Sequence, residues 1–533
     1  MTNSVKHTSA PLTARPRRSG AAVALLVTSL FMLAGYLLLR YGGRWGESDA
    51  GMITQAIQTM LEDGSLLPAG GVTYPNGYGY QALAVFILQV GGISSTQLQL
   101  YLQLFLAPWI ALPAWLLYRE LAGSERGATL ATAILLVQPE FLFALLRGTH
   151  EKFTRGLILL AMYLFVKSLR QSQHVRRLAG SILAFYLAAL GFITFNNLLS
   201  FSFIVAMTLS VVMLAGLRWW THSPAPAGPA AENRLRYAVL TASIIVFLFT
   251  FYFYPPARSN ILVMENMADR TAALVLDVET TTDAAPYAYT AGAWLSGRVY
   301  LALSIATWVL LGISFLVWSF QTVQLLRRRN LGWQPDQVML WALYGAFAIQ
   351  GALSIVVDFS GALASNLQVR VFPAFAMLAA PVAARAFLAW QASGRRGRRA
   401  AWTLLVASLG LMAVLSVFKA TNEPLVSNKW QFYIPAEIQA LDRSATLLKE
   451  RTLWTEWDER LLSAYDILYP FEKTGEYLEA WAQPAQNVLV SEVILARQAR
   501  TFRAPPVEPD SLLIYDNGQA QIYHHRPRTP FQR

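Results

Sequence analysis

Two stretches of this sequence gather side chains able to do chemistry. Glu47-Ser48-Asp49 sets two carboxylates two residues apart, just beyond an apolar run long enough to cross a bilayer. Ionisable groups at membrane depth are costly to keep unless they serve a site. One carboxylate can take the proton of an incoming hydroxyl as a general base. The pair can instead ligate a hard divalent cation that neutralises a phosphate leaving group. The plain alternative is that Asp49 caps the helix predicted over 50–62 while Glu47 is solvated.

The second stretch is Arg147-Gly148-Thr149-His150-Glu151-Lys152, which packs two cations, an imidazole and a carboxylate between two apolar runs. Arg147 and Lys152 suit a phosphate. His150 and Glu151 suit a cation or a proton; the alternative is a polar connection closed by its own salt bridges. Arg370 lies slightly inside a late apolar run, where it can reach a lipid-linked phosphate or snorkel to the interface. Arg298 carries the same two readings. Tyr74 and Tyr78 flank a Pro-Asn-Gly turn and are further candidates for substrate contact, or anchors at the membrane interface.

These residues need a membrane scaffold to hold them. The chain is 55% hydrophobic and only 14% charged, where a soluble domain carries about 25% charged residues. Its apolar runs repeat near the ~20-residue bilayer length, which makes a polytopic membrane protein. The formal charge of +12 does not argue for nucleic acid, because the basic residues cluster in short segments between apolar runs. Without cysteine, disulfides and thiolate metal sites are excluded. No internal repeat is visible, which weighs against the inverted-repeat transporters.

In chain order, residues 1–20 are a basic cytoplasmic tail and 21–39 an uncleaved first span. An outer loop over 40–96 follows. It holds the acid pair, the amphipathic helix with Met52, Ile53, Ala56, Ile57, Met60 and Leu61 on one face, and the aromatic turn. Residues 80–90 are apolar but short, and are expected to lie at the interface rather than cross. Spans are then predicted over 98–118, 128–146 and 156–169, with 147–155 outside. Further spans fall at 178–195 and 198–217, joined by a tight Asn196-Asn197 turn, and at 237–254, 299–326, 338–357, 369–390 and 402–418, with an acidic outer loop over 255–293. In that loop Glu265 and Asp269 are four apart and can share a helix face. The alternation of basic inner ends gives about eleven spans with the carboxyl end outside. Residues 420–533 change character: a helix over 434–451, a strand over 487–493, and a hairpin turning at Asp516-Asn517-Gly518 predict a small α/β domain on the side of the acid pair.

Taken together, the early outer E-x-D with its interfacial helix, the Y-P-N-G-Y turn, the R-G-T-H-E after the third span and the late arginine resemble the GT-C superfamily. These are polytopic glycosyltransferases that use polyprenyl-phosphate-linked sugars. The layout after the third span is similar to the second-loop motif of oligosaccharyltransferases. The resemblance implies a GT-C-like α-helical membrane fold with a small extracytoplasmic α/β domain. It implies that Asp49 is the catalytic or metal-binding acid with Glu47 as companion, and that His150 and Glu151 join Asp49 around a divalent cation such as Mg or Mn. It also makes Arg370, with Arg147 and Lys152, the residues near the donor phosphate. The implied partners are a polyprenyl-phosphate sugar donor, membrane lipid, and a glycan, lipid or protein acceptor, at the plasma membrane with the amino end cytoplasmic. Trp454-Thr455-Glu456-Trp457-Asp458 departs from the W-W-D-Y-G acceptor motif of the oligosaccharyltransferases, which argues against transfer to asparagine. Two other classes stay in view: a transporter or lipid flippase, which needs charges at mid-depth in the spans, and a non-catalytic membrane scaffold.

Overall fold

The computed structural model describes residues 17–45, 48–67, 74, 76–170, 175–221, 229–254, 258–275, 296–328, 333, 335–359, 367–392, 398–421, 423, 432–447, 453–454, 487–501 and 510–524. Glu47 and the loop acids Asp277, Glu279 and Asp283 lie outside them, as does most of the Trp454–Asp458 stretch. Among the described residues nine helices are long and apolar enough to cross a membrane, and a bent pair makes a tenth. The helix Glu151–Arg170 runs through the stretch predicted as the fourth span. The architecture thus fits the expected count of about eleven. Gly79–Gly91 is a separate helix of 13 residues. At 1.5 Å per residue it is about 20 Å long, too short for a ~30 Å hydrocarbon core.

The bent pair corrects the straight third span. Helices Glu125–Leu136 and Pro139–Leu146 meet at 75°. Pro139 stands at the first position of the second helix, where its missing N–H costs nothing. The carbonyls freed by the break must be met inside the protein. Ser416 donates to the Val137 carbonyl at 2.5 Å, and Gln138 Nε2 to that of Ile134 at 2.9 Å. Glu140, one residue past the proline, accepts from Thr307 at 2.6 Å and pairs with Lys419. This short helix is therefore pinned to two later spans, and Arg147 follows directly on its last turn.

The first loop is built on one apolar stripe. Ile53, Ala56, Ile57 and Met60 of the helix Ser48–Asp63 are buried as expected, while Met52 is exposed. Ile53 and Ile57 pack with Tyr80, Ala84 and Leu88 of the interfacial helix and with Leu98. Each fully buried isoleucine contributes roughly 1.5–3 kcal/mol.

The carboxyl-terminal segment holds helix Pro435–Leu447 and four strands: β1 Leu453–Trp454, β2 Asn487–Ser491, β3 Leu512–Asp516 and β4 Ala520–His524. The sheet order is β1-β2-β4-β3, with β1 parallel to β2 and the other pairs antiparallel. The strand expected over 487–493 stops at Ser491, whose hydroxyl accepts from the Ile494 amide and starts the helix Glu492–Thr501. The hairpin forms one residue later than expected. Asn517 N–H bonds the Ala520 carbonyl, so Gly518 and Gln519 are the central pair and Gly518 takes the required positive φ of +87°. The segment begins at the end of the first span: the Tyr433 amide donates to the Arg44 carbonyl at 2.8 Å, and Trp45 bridges Phe432.

Candidate functional site

Asp49 sits in the first turn of its helix, where the positive end of the helix dipole favours a carboxylate. It is not left to cap that helix alone. Arg147 reaches from the second loop and pairs with it, while its other terminal nitrogen lies 3.6 Å from Glu151. Glu151 also meets Arg155 at 3.4 Å. The acid loop and the R-G-T-H-E loop, about a hundred residues apart in sequence, therefore share one guanidinium. Asp49 keeps 41% of its side chain exposed while Arg147 keeps 12%, so Asp49 is the acid that an incoming molecule can reach.

Close approach of backbones makes this possible. A Cβ on Gly148 would sit 2.6 Å from Gln99 Oε1 and 3.2 Å from Ala50 Cβ, so glycine lets the second loop lie against the helix of Asp49 without displacing the Gln99 side chain. On the other flank, the aromatic turn is fastened to the break between the helices Val175–Phe195 and Asn197–Thr221. The Asn197 amide donates to the Asn76 carbonyl at 2.7 Å, and Tyr254 OH to the Tyr74 carbonyl at 2.5 Å.

His150 is buried between these parts. Tyr74 lies against its ring at a centroid distance of 5.0 Å, and Asn196 Nδ2 is 2.7 Å from its Nε2. Burial, opposed by the Glu151 carboxylate, takes the imidazole down to about 4. The Tyr74 phenol is pushed up to about 12, again chiefly by burial. Tyr78 packs against Tyr254 and Phe249 at 6.0 and 6.3 Å.

Lys152 is turned elsewhere. It is fully buried, bonds the side chain and the carbonyl of Gln103, and has no carboxylate partner among the described residues. Arg370 lies in the helix Leu367–Ala392, with its side chain outside the described residues. Arg298 is likewise placed only as part of the helix Ser296–Arg328. Glu265 and Asp269 share an exposed face of the helix Arg258–Val275.

The expected three-ligand cation site is not formed. Among the described residues no three His, Cys, Asp or Glu side chains gather as a metal would need. Arg147 occupies the space between the two carboxylates, and His150 commits Nε2 to Asn196. Two participants were missed from the sequence. Asn196 read only as a turn, and Arg155 only as a flank of the motif.

No protein-family model and no curated relative matches the chain. Solved structures do. The apo oligosaccharyltransferase of Archaeoglobus fulgidus aligns with a TM-score of 0.51 at 12% identity, over 85% of this chain and 64% of its own. The same enzyme in complex with Zn and sulfate gives 0.52 at 14% identity, over 92% and 62%. ArnT from Cupriavidus metallidurans in the apo state gives 0.50 at 14%, over 95% and 98%. The chain thus spans less than two thirds of the oligosaccharyltransferase and nearly all of ArnT. At these identities the likeness is one of fold, and it places this chain in the GT-C-like membrane architecture.

Proposed function

We propose that this protein is a glycosyltransferase that moves a hexosyl or pentosyl group from a polyprenyl-phosphate donor to an acceptor, with inversion, at the outer face of the plasma membrane. The observation that carries the reading is Arg147 joining Asp49 of the first loop to Glu151 of the second. Asp49 gives a base at one end of the helical body, and the Arg147 guanidinium held between the two carboxylates gives positive charge beside it for a phosphate-bearing substrate. The shared fold with an oligosaccharyltransferase and ArnT supports it.

In this mechanism the acceptor hydroxyl approaches the exposed edge of Asp49. Asp49 removes its proton as the hydroxyl oxygen bonds the sugar carbon and the carbon–oxygen bond to phosphate breaks. Inversion follows from this single displacement. Glu151 keeps Arg147 in place, and Arg147 orients Asp49. Arg370 is the phosphate contact carried over from the sequence reading. The oligosaccharyltransferase of like fold is known with Zn and sulfate. Here Asp49, His150 and Glu151 do not gather as ligands, and the positive charge between the acids is the guanidinium of Arg147.

A transporter or flippase is less well supported. Lys152, Arg155, Asp336 and Lys419, the buried charges of the described membrane helices, lie near helix ends rather than at mid-depth. The test is to reconstitute the purified protein in vesicles with a panel of polyprenyl-phosphate-linked sugars. Release of polyprenyl phosphate from at least one donor is expected. Movement of donor between leaflets with every sugar–phosphate bond intact contradicts the transferase assignment.

A further inference from the structure

The amide of Asn196 decides what His150 can do. Asn196 precedes the helix Asn197–Thr221 and caps it: the Leu199 backbone N–H donates to Asn196 Oδ1 at 2.8 Å. A backbone N–H can only donate, so Oδ1 must face it, and the NH₂ group of Asn196 is left facing His150. Asn196 Nδ2 lies 2.7 Å from His150 Nε2. Two donors cannot share that distance, so Nε2 is the acceptor and carries no proton. The neutral ring then carries its proton on Nδ1. Nδ1 is buried, with no hydrogen-bond partner among the described residues. A buried N–H without a partner is costly, and a persistent one asks for a ligand.

The same segment holds more of these groups. Arg155 is 2% exposed, and among the described residues its Nε and Nη1 have no partner, while Nη2 meets Glu151 at 3.4 Å. Glu151 is already shared with Arg147. Within six residues the chain thus offers buried donors in excess and one cation half answered, which suits the oxygens of an anion.

We propose that His150 donates a hydrogen bond through Nδ1–H to a phosphoryl oxygen of the bound lipid phosphate, its tautomer fixed by Asn196, and that it is not a metal ligand. Arg155 supplies positive charge to the same anion. This rests on the transferase reading for the identity of the anion, but not for the tautomer. Metal binding at Nδ1 requires removing its proton; the proton would then move to Nε2, against the NH₂ of Asn196.

The experiment is ¹⁵N spectroscopy of the full-length protein labelled at its 6 histidines, with His150→Gln identifying the His150 signals. Nδ1 protonated and Nε2 bare at neutral pH is expected. The Nδ1 signal should move when polyprenyl phosphate is added, and stay unmoved by Zn²⁺. A proton on Nε2, a response to Zn²⁺, or no response to polyprenyl phosphate overturns the proposal. Inorganic phosphate at equal concentration separates a free anion from one presented by a lipid; a response to it alone also overturns the proposal. Binding variants give a second arm. His150→Asn keeps an N–H near the Nδ1 position and should bind polyprenyl phosphate within about threefold of wild type. His150→Asp offers a carboxylate, fit for a metal but not for an anion, and should bind about 10–100-fold more weakly. The reverse order rejects the donor role. Neither arm needs turnover, so a failed transfer assay with these results intact rejects the transferase reading alone.

Discussion

Arg147 is the residue on which the two loops depend, because each of its carboxylate partners comes from a different loop. His150, beside it, gives a prediction that needs no substrate. Its imidazole is held near 4 by burial, against about 6.5 when unfolded. The unfolded chain therefore binds more protons between these values. Stability from the neutral ring is present above pH 6.5 and is lost as pH falls toward 4, on the order of 3 kcal/mol. Thermal unfolding of wild type should drop over that window, and the drop should be smaller in His150→Gln by this contribution. Equal slopes would show that His150 is not buried neutral. The types and spacing of Asp49, Arg147, His150 and Glu151 were legible because few soluble-type charges punctuate this chain. The use of Lys152 was not. Its ammonium turns to Gln103, a neutral partner on another helix that no local pattern announces.

At the scale of elements, contact between the loops is set by small residues and one helix break. Gly148→Ala puts a methyl against Gln99 and Ala50. Either the Gln99 amide gives way or the second loop shifts off the helix of Asp49, and misplacement by ~1 Å costs about 10²-fold in rate. Adding Gln99→Ala to make room should recover much of that loss in a steady-state transfer assay. No recovery would mean that the methyl acts elsewhere. The interfacial helix and the turn at Asn196 were readable from length and from paired asparagines. The break at Pro139 was written in the sequence as a proline inside an apolar run, which cannot continue a helix unbent. Its apolar neighbours hid it, because hydropathy alone scores the two halves as one span. Asn196 was invisible as a site residue, since its partner His150 is 46 positions away.

At the scale of the whole molecule, the membrane class and the late change to an α/β segment followed from composition and turn signals. Which end of the bundle carries that segment is given by Tyr433 bonding to Arg44 and by Glu423 meeting Tyr41 and Arg40 at the end of the first span. Such links are long-range and leave no periodic trace. The sidedness is testable because the chain has no native cysteine. Arg443→Cys, on the exposed face of the helix Pro435–Leu447, should react with an impermeant maleimide on intact cells. Trp219→Cys, exposed at the end of the helix Asn197–Thr221, should react only after permeabilisation. The opposite pattern would put the acid loops on the cytosolic face.

One comparison bears on the transfer chemistry more directly than the rest: the single-turnover rate of sugar loss from a labelled polyprenyl-phosphate donor in wild type and in Asp49→Asn, both folded by thermal unfolding. Removing a general base slows such a step by about 10²–10⁴-fold, and that loss is expected here with donor binding kept. Equal rates in the two proteins would contradict the assignment of Asp49.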